Sequence, residues 1–422
     1  MKFISLRNRY KKIPLALGLT YYILLMPFLF GTFTLLNIPS LVRYTVDAAW
    51  MGTVLLMACQ RKLRFRRILL PQICLISIWL LFTLIVYLFR YQSMFYYLWG
   101  IRNNVRFYVA FLMFASFLDE ENVDGCLKLF DKLFWVNAVV VLIQFFFLGY
   151  QQDFLGGIFG VEKGANAYTV VFFCVVLSKS LLSMMNGTES LGRCLLKCGC
   201  ALLIAALAEM FAFYLFFVTI LILASVCTKF SWKKSVLFVA MAIVMVLCSS
   251  ILLELFGKGS QLTIETFLKR LYAENYATQN DLGRLTAVPT LAKRILTDAP
   301  EQWFGLGLGN CDTSAFAICN TPFYQRYMSL HYTWFMSAFL FLETGYLGIV
   351  LYVCFFVLCF ASARKHIKNK QGNLLYCQLT QIMSVICMIM TLYNAVLRTE
   401  GGYMAYFVLA LAFIKRRDES QK

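Results

Sequence analysis

The fold is decided by the stretch HYTWFMSAFLFLETGYLGIVLYVCFFVLCFA, which runs from His331 to Ala361. Only one residue in this stretch, Glu343, carries a formal charge at neutral pH. A helix that crosses the hydrocarbon core of a bilayer needs about 20 mostly apolar residues, and this stretch is longer. We therefore predict that it forms a transmembrane helix.

The rest of the chain has the same apolar character. Hydrophobic residues make up 61% of the 422 positions and charged residues only 14%, whereas soluble domains are close to half apolar and a quarter charged. The predicted spans are Pro14–Leu36, Leu41–Cys59, Ile68–Phe89, Phe95–Phe117, Leu133–Gly149, Ala167–Met185, two within Cys194–Cys227, Val236–Phe256, His331–Ala361, Leu375–Tyr393 and Tyr403–Ile414. The sequence thus predicts an all-α polytopic membrane protein with about 12 transmembrane helices and one large helical outer loop.

Two segments required a choice of interpretation. The run Cys194–Cys227 is too long for one span, so we divide it near Glu209 into two short helices. The N-terminal arm MKFISLRNRYKK precedes the first apolar run without a small-residue cleavage site. This favours a first span over a removable signal peptide.

The distribution of basic residues predicts how the chain is oriented in the membrane. With the N-terminus inside, the inner segments contain 25 Lys and Arg residues, and the short outer loops contain three, Arg90, Lys163 and Arg398. Such a bias is typical of multi-pass membrane proteins. It accounts for the net charge of +18 without a nucleic-acid partner. We predict that both termini lie on the inner, cytoplasmic side of the membrane.

Three regions follow from this topology. Residues 1–256 form transmembrane helices 1–9, residues 257–330 form a large extracytoplasmic loop, and residues 331–422 form helices 10–12 with a basic cytoplasmic tail. The apolar spacing in the loop predicts amphipathic helices over Ile264–Leu271 and Val288–Leu296. A loop of this length with its own helices is more often functional than a simple tether.

Two arginines in the fourth span are the sharpest candidates for chemistry. In WGIRNNVRF, Arg102 and Arg106 are four residues apart and therefore share one helix face, in the outer half of the membrane. Guanidinium groups grip phosphate with two parallel hydrogen bonds, so the pair would suit a diphosphate. The alternative is that both side chains extend to the outer membrane interface.

Two carboxylates inside predicted spans are further candidates for substrate binding. Glu209 lies at the predicted break between two short helices, where it reaches outer water or pairs with an arginine. Glu343 lies deeper and is followed by Gly345 and Gly348, so the span is expected to be broken there. In that case Glu343 either binds freed backbone amides or takes part in catalysis.

The remaining polar residues of the spans are expected to be structural. Arg43 and Asp47 are separated by four residues, and we expect them to pair with each other. Asn137 and Gln144 are expected to form hydrogen bonds between helices.

The outer loop contains GRL with Arg284, then FGLGLGN over Phe304–Asn310, and it ends at His331. The glycine run is not a dinucleotide-binding motif, because no strand precedes it and no helix clearly follows. We expect its glycines to permit a tight turn or a close backbone approach to a sugar or phosphate. A disulfide between Cys311 and Cys319 stays open.

These motifs, in this order, resemble the superfamily of bacterial O-antigen ligases and polysaccharide repeat-unit polymerases. The matching features are GR, FGLGLGN, HYTW and LETGYLGIVLYV, together with WGIRNNVRF, NAVVVLIQ and DFLGGIFGVEKGANAY. Each motif is short, but their order and spacing around the large outer loop cover most of the chain. One departure is Tyr332, where many members have Asn or Ser after the histidine.

The resemblance implies a glycosyltransferase that acts at the outer face of the plasma membrane. Its donor would be a glycan on undecaprenyl diphosphate, transferred to an acceptor hydroxyl with inversion and without a metal ion, nucleotide or other cofactor. Arg284 and His331 would be catalytic, and Arg102, Arg106, Glu209 and Glu343 would bind substrate. His331 would either bind the diphosphate or remove the acceptor proton.

Three functions stay open on this basis. A polymerase would join lipid-linked repeat units into O-antigen or capsule, and it would work beside a flippase and a chain-length regulator protein. A ligase would transfer the finished glycan to a lipid or protein acceptor. A flippase or transporter is less well matched, because the polar residues are biased to the outer half of the membrane.

Overall fold

The computed structural model describes residues 14–59, 66–90, 93–228 and 281–415 apart from 315, 317 and 319, with a few positions between 236 and 273. The predicted helix Ile264–Leu271 lies outside the described residues, as does most of the predicted span Val236–Phe256. Residues 1–13 and 416–422, at the two ends of the sequence, are also outside them.

The described part of the chain is built from helices that are numbered here in chain order. They are α1 (Pro14–Leu25), α2 (Phe30–Leu35), α3 (Thr45–Cys59), α4 (Leu70–Arg90), α5 (Met94–Phe117), α6 (Glu120–Phe146), α7 (Asn166–Met185), α8 (Leu191–Leu207), α9 (Phe211–Cys227), α10 (Ala287–Arg294), α11 (Ala299–Phe304), α12 (Pro322–Tyr327), α13 (Met336–Lys368), α14 (Leu374–Tyr393) and α15 (Gly402–Ala410). No β-strand occurs among these residues, which confirms the all-α prediction at this level.

Five helical segments in the described regions are long and apolar enough to cross a membrane: Leu15–Leu35, Arg67–Arg90, Asn166–Met185, Met336–Lys368 and Leu374–Tyr393. Shorter apolar helices include Ala212–Cys227 and Gly402–Phe413. The protein is therefore embedded in a membrane. The count of twelve spans stays a prediction.

The centre of the bundle is formed by α7, α14 and α15, which pack against one another. Within its most apolar window, 83% of α7 is buried by protein, whereas only 28% of the α4 window is buried. Thus α7 is an interior helix, whereas the described residues leave most of the α4 surface uncovered. Aromatic rings fill the space between α5, α13 and α15, where Tyr108 and Tyr406 both contact the ring of Phe355 at 4.9 and 5.7 Å.

One end of the bundle gathers the segments that the charge pattern assigns to the cytoplasm. The contacts there are the backbone bridge between Asp119 and Lys415, the bond from Arg66 to the Phe413 carbonyl, and the bond between Tyr376 and Asp124. The opposite end gathers the predicted outer segments, through the ion pairs Arg43–Glu162 and Arg90–Glu301. Each of these contacts therefore joins segments that are predicted to lie on the same side of the membrane.

Two positions at the predicted cytoplasmic end differ from what their local sequence suggests. Lys128 lies between two predicted spans and is expected in a loop, but it is part of α6, which begins at Glu120 because Asp119 caps the Asn122 amide at 2.9 Å. His366 lies among basic residues, which predicts an exposed position, but it is buried and its Nδ1 lies 2.9 Å from the Ala412 carbonyl.

The segment between α6 and α7 folds back into the bundle as a re-entrant loop, residues 155–160. Gln144 holds both backbone groups of Gly157, at 2.8 and 2.9 Å, and Asn137 accepts the Ile158 amide at 2.9 Å. Irregular backbone at membrane depth requires such internal partners. Asn137 and Gln144 thus support a loop, and the prediction that they join helices is wrong.

The described part of the outer loop has its own small hydrophobic core against α13. Leu282, Leu291 and Leu296 are buried there with Tyr332 and Phe339. Helix α10 matches the predicted amphipathic helix Val288–Leu296 with a shift of one or two residues. The outer loop is therefore a packed cap on one end of the bundle.

Candidate functional site

Helix α13 is broken at Gly345, as the sequence predicts. Gly345 has φ 65° and ψ −166°, so the helix cannot continue its hydrogen bonds through this point. The freed carbonyls of Leu342 and Glu343 accept the amides of Leu306 and Gly307 at 2.8 and 3.1 Å. The break therefore becomes a binding surface for the outer loop.

The FGLGLGN segment fills this break and also touches α5. A Cβ on Gly305 would lie 2.4 Å from the Thr344 nitrogen, and one on Gly309 would lie 1.9 Å from the Tyr96 carbonyl oxygen. The glycines are thus needed for close approach to the protein's own helices. The expected close approach of these glycines to a sugar or phosphate stays a prediction.

Glu343 is buried at the centre of this junction. Its carboxylate accepts the Gly309 amide at 2.9 Å and faces Arg398 Nη1 at 3.4 Å. The predicted role of Glu343 in satisfying backbone amides is thus partly right, because the amide that it binds comes from the outer loop. Its predicted contact with substrate stays a prediction.

Arg398 joins Glu343 to a second buried carboxylate, Asp312. Arg398 Nη2 lies 2.6 Å from Asp312 Oδ2, which also accepts the side-chain amide of Asn103 at 2.6 Å. The Arg398 guanidinium stacks over the Phe339 ring at 3.3 Å. Sequence reasoning missed both Arg398 and Asp312, because no local pattern predicts a pair separated by the whole of α13 and α14.

Arg106 is buried beside a third carboxylate, Glu400. It donates to Glu400 at 3.1 Å and to the Arg398 carbonyl at 2.8 Å. Tyr168 donates to the other Glu400 oxygen at 3.2 Å. Burial favours the neutral form of Glu400, but the Arg106 charge outweighs it and lowers the pKa of that carboxyl.

Arg102 pairs with Asp47, and its guanidinium lies between the rings of Tyr44 and Trp99, each 4.9 Å away. The expected pair between Arg43 and Asp47 is therefore wrong: Arg43 instead binds Glu162 at 2.5 Å. The helix spacing allowed the local pair, but the tertiary fold brings a closer partner to each residue.

The balance between positive and negative side chains constrains what this network of arginines and carboxylates can bind. Three arginines are compensated by four carboxylates: Arg102, Arg106 and Arg398 against Asp47, Asp312, Glu343 and Glu400. An incoming diphosphate would have to displace a carboxylate before it could bind Arg102 or Arg106. In this conformation the network is better suited to holding the outer loop than to holding an anion.

Glu209 lies at the turn between α8 and α9, as predicted. It has a φ of 50°, unusual for a residue with a side chain, and it accepts a bond from Gln152 at 3.2 Å. It is separate from the buried network. Its predicted role in substrate binding stays a prediction.

His331 and Arg284 belong to two segments that lie side by side where the outer loop joins α13. The Leu282 amide donates to the Leu330 carbonyl at 3.1 Å, which places their two segments side by side. His331 stacks on Trp334 with ring centres 4.1 Å apart, and its buried Nδ1 has no hydrogen-bond partner in the described structure. Arg284 donates to the Tyr393 carbonyl at 2.9 Å and covers the Tyr393 ring.

Lys163 joins this patch from the loop between α6 and α7. Its Nζ lies 5.3 Å from the centre of the Trp334 ring, and it makes no ion pair with any residue described here. We call Lys163, Arg284, His331 and Trp334 the histidine patch. Sequence reasoning counted Lys163 only as a topology signal.

No protein-family model matches the chain, and no curated protein matches it. The proposed function therefore rests on the resemblance of the motifs and on the geometry of the histidine patch.

The close approach of Gly100 to Gly309 predicts opposite effects of two matched substitutions. A Cβ on Gly100 would lie 2.6 Å from the Gly309 nitrogen, whereas one on Gly52 would meet nothing within 4 Å. We expect Gly100→Ala to lower the melting temperature of the purified protein. Gly52→Ala should leave it unchanged or raise it slightly, because alanine is favoured over glycine inside a helix by roughly 0.5–1 kcal/mol. Equal melting temperatures for the two variants would contradict the packing of FGLGLGN on α5.

Proposed function

We propose that the protein is a membrane glycosyltransferase that polymerises undecaprenyl-diphosphate-linked repeat units into a surface polysaccharide. The proposal rests on the resemblance of its motifs to repeat-unit polymerases. One structural observation supports it: motifs far apart in sequence meet at one end of the bundle. Leu282, next to GR, binds Leu330, next to HYTW, and FGLGLGN binds the broken LETGYLG segment.

The transfer requires a cation that stabilises the diphosphate leaving group and a group that takes the proton of the acceptor hydroxyl. The acceptor oxygen forms a bond to the anomeric carbon, the bond from that carbon to the diphosphate oxygen breaks, and the acceptor proton leaves. Fixed positive charge lowers the energy of the departing diphosphate. In the histidine patch Arg284 and Lys163 supply that charge, and His331 either accepts the proton or binds the diphosphate.

The ion pairs of two arginines change which residues are expected to bind the diphosphate. Arg102 and Arg106 both face carboxylates, whereas Lys163 has no such partner in the described structure. We therefore assign the diphosphate first to Lys163, and Arg284 stays a catalytic candidate because of its GR motif. The outer-loop core beside them would exclude water and limit hydrolysis of the donor.

The sidedness of the site follows from the positive-inside bias. The histidine patch lies at the end of the bundle where the predicted outer segments gather, near the pair Arg43–Glu162. We propose that this end faces outward from a bacterial plasma membrane and that both termini are cytoplasmic. The donor would then be reached from the outer leaflet after a flippase has delivered it.

Deletion of the protein should leave cells with single lipid-linked repeat units and without long chains. The measurement is the size distribution of the lipid-linked and surface glycans. Long chains that remain on the lipid carrier would favour the ligase. Repeat units that never reach the outer face would favour the transporter.

Substitutions in the histidine patch should separate its residues by role. Arg284→Ala and His331→Ala should abolish chain growth at normal protein level, because they remove a fixed charge and the group that either accepts the proton or binds the diphosphate. Lys163→Gln should raise KM roughly ten- to a hundredfold, since a hydrogen bond to a charged group contributes roughly 1.5–3 kcal/mol. The control is Lys293→Gln, an exposed cation on α10, which should leave the rate unchanged. Chain growth in both alanine variants would refute the assigned site.

A further inference from the structure

The residue that follows the candidate histidine is anchored in the outer-loop core. Tyr332 is completely buried, and its ring packs against Phe323 and Phe339 at 5.6 and 5.8 Å. Its hydroxyl donates a hydrogen bond of 2.6 Å to the backbone carbonyl of Cys311, whose thiol is free. Tyr332 therefore ties the segment of His331 to a segment some twenty residues earlier.

That earlier segment is fixed from within the membrane. Asp312 follows Cys311 directly, and its carboxylate is held by Arg398 and by Asn103, each at 2.6 Å. Both Asp312 and Arg398 are at least nine-tenths buried. A buried ion pair of this kind resists movement, because separating its members leaves an uncompensated charge in a low-dielectric interior.

His331 has a backbone conformation that needs such support. Its φ of 50° and ψ of 30° are left-handed, a region that residues with a Cβ occupy at a cost. The His331 amide donates to Met328 at 3.0 Å and its carbonyl accepts from Trp334 at 3.0 Å. These are local turns, and the longer-range anchors lie on the two neighbours of His331, the Leu330 carbonyl that accepts the Leu282 amide and the Tyr332 hydroxyl.

We propose that Tyr332 is a positioning residue, which with the Cys311 carbonyl, Asp312 and Arg398 forms a relay that holds His331 in its left-handed conformation. The relay links the histidine patch to the buried charge network. The inference rests on the proposed function, because it gives His331 a role in the transfer. It assigns no substrate contact to Tyr332, Asp312 or Arg398.

Breaking the relay should lower the rate of transfer, whereas breaking a contact that only stabilises the fold should not. Misplacement of a reacting group by about 1 Å lowers a rate by roughly a hundredfold without altering the affinity for substrate to the same extent. A stabilising contact lowers only the melting temperature. The chain offers a matched control in Tyr376, whose hydroxyl donates to Asp124 at 2.6 Å at the opposite end of the bundle.

The test uses the purified full-length protein in lipid nanodiscs, with a lipid-diphosphate-linked repeat unit as substrate. Tyr332→Phe removes one hydroxyl and should lower kcat about ten- to a hundredfold, with KM within about twofold of the wild type. Asp312→Asn should lower kcat in the same range. The double variant should be no slower than the slower single variant, because both act through one path. Tyr376→Phe should lower the melting temperature and leave kcat unchanged.

A wild-type kcat in Tyr332→Phe, with a melting temperature lowered as in Tyr376→Phe, would overturn the relay and leave the proposed function intact. If Tyr332→Phe does not accumulate, Asp312→Asn gives the same two outcomes. Independent, multiplicative effects in the double variant would also overturn the relay. No transfer by the wild-type protein would contradict the proposed function, and the relay with it.

Discussion

Arg398 is buried between Asp312, which belongs to the outer loop, and Glu343, which lies just before the break in α13. Most features of the outer end depend on this arrangement. The break at Gly345 frees carbonyls that bind the FGLGLGN segment, and the Glu343 carboxylate binds the amide of Gly309. Removing one partner of a buried ion pair typically costs about 3–5 kcal/mol, so this contact is a strong constraint on the loop.

The charged residues fall into two groups, those that pair with each other in the buried network and those that are assigned to substrate binding. Arg102 and Arg106 are already compensated by Asp47 and Glu400, so they fix α5 against its neighbours. Of the two cations assigned to the histidine patch, Lys163 lies over the Trp334 ring and Arg284 over the Tyr393 ring. A phosphate can approach Lys163 without first breaking an ion pair to any residue of the described structure. Substrate binding is therefore assigned to the histidine patch, and the buried pairs of arginines and carboxylates are assigned a structural role.

The sequence predicted features that depend on local pattern and on length. Apolar runs predicted the membrane helices, the glycine after Glu343 predicted the break in α13, and Glu209 marked the turn between α8 and α9. It could not predict partners that tertiary packing selects. Arg43 and Asp47 have ideal helix spacing, yet each binds a residue from elsewhere in the chain. Asp312 and Arg398 lie between the α-helices, in segments where no sequence motif marks them as partners. Only the tertiary fold brings them together.

The central claim is that the outer end of the bundle transfers glycans from a lipid diphosphate. The most direct measurement supplies the purified protein in proteoliposomes with a lipid-linked repeat unit as the sole substrate, and follows product length together with release of the lipid diphosphate. The account predicts chains longer than one unit and one equivalent of lipid diphosphate for each new glycosidic bond. Intact donor moving across the bilayer with no bond formed would contradict it.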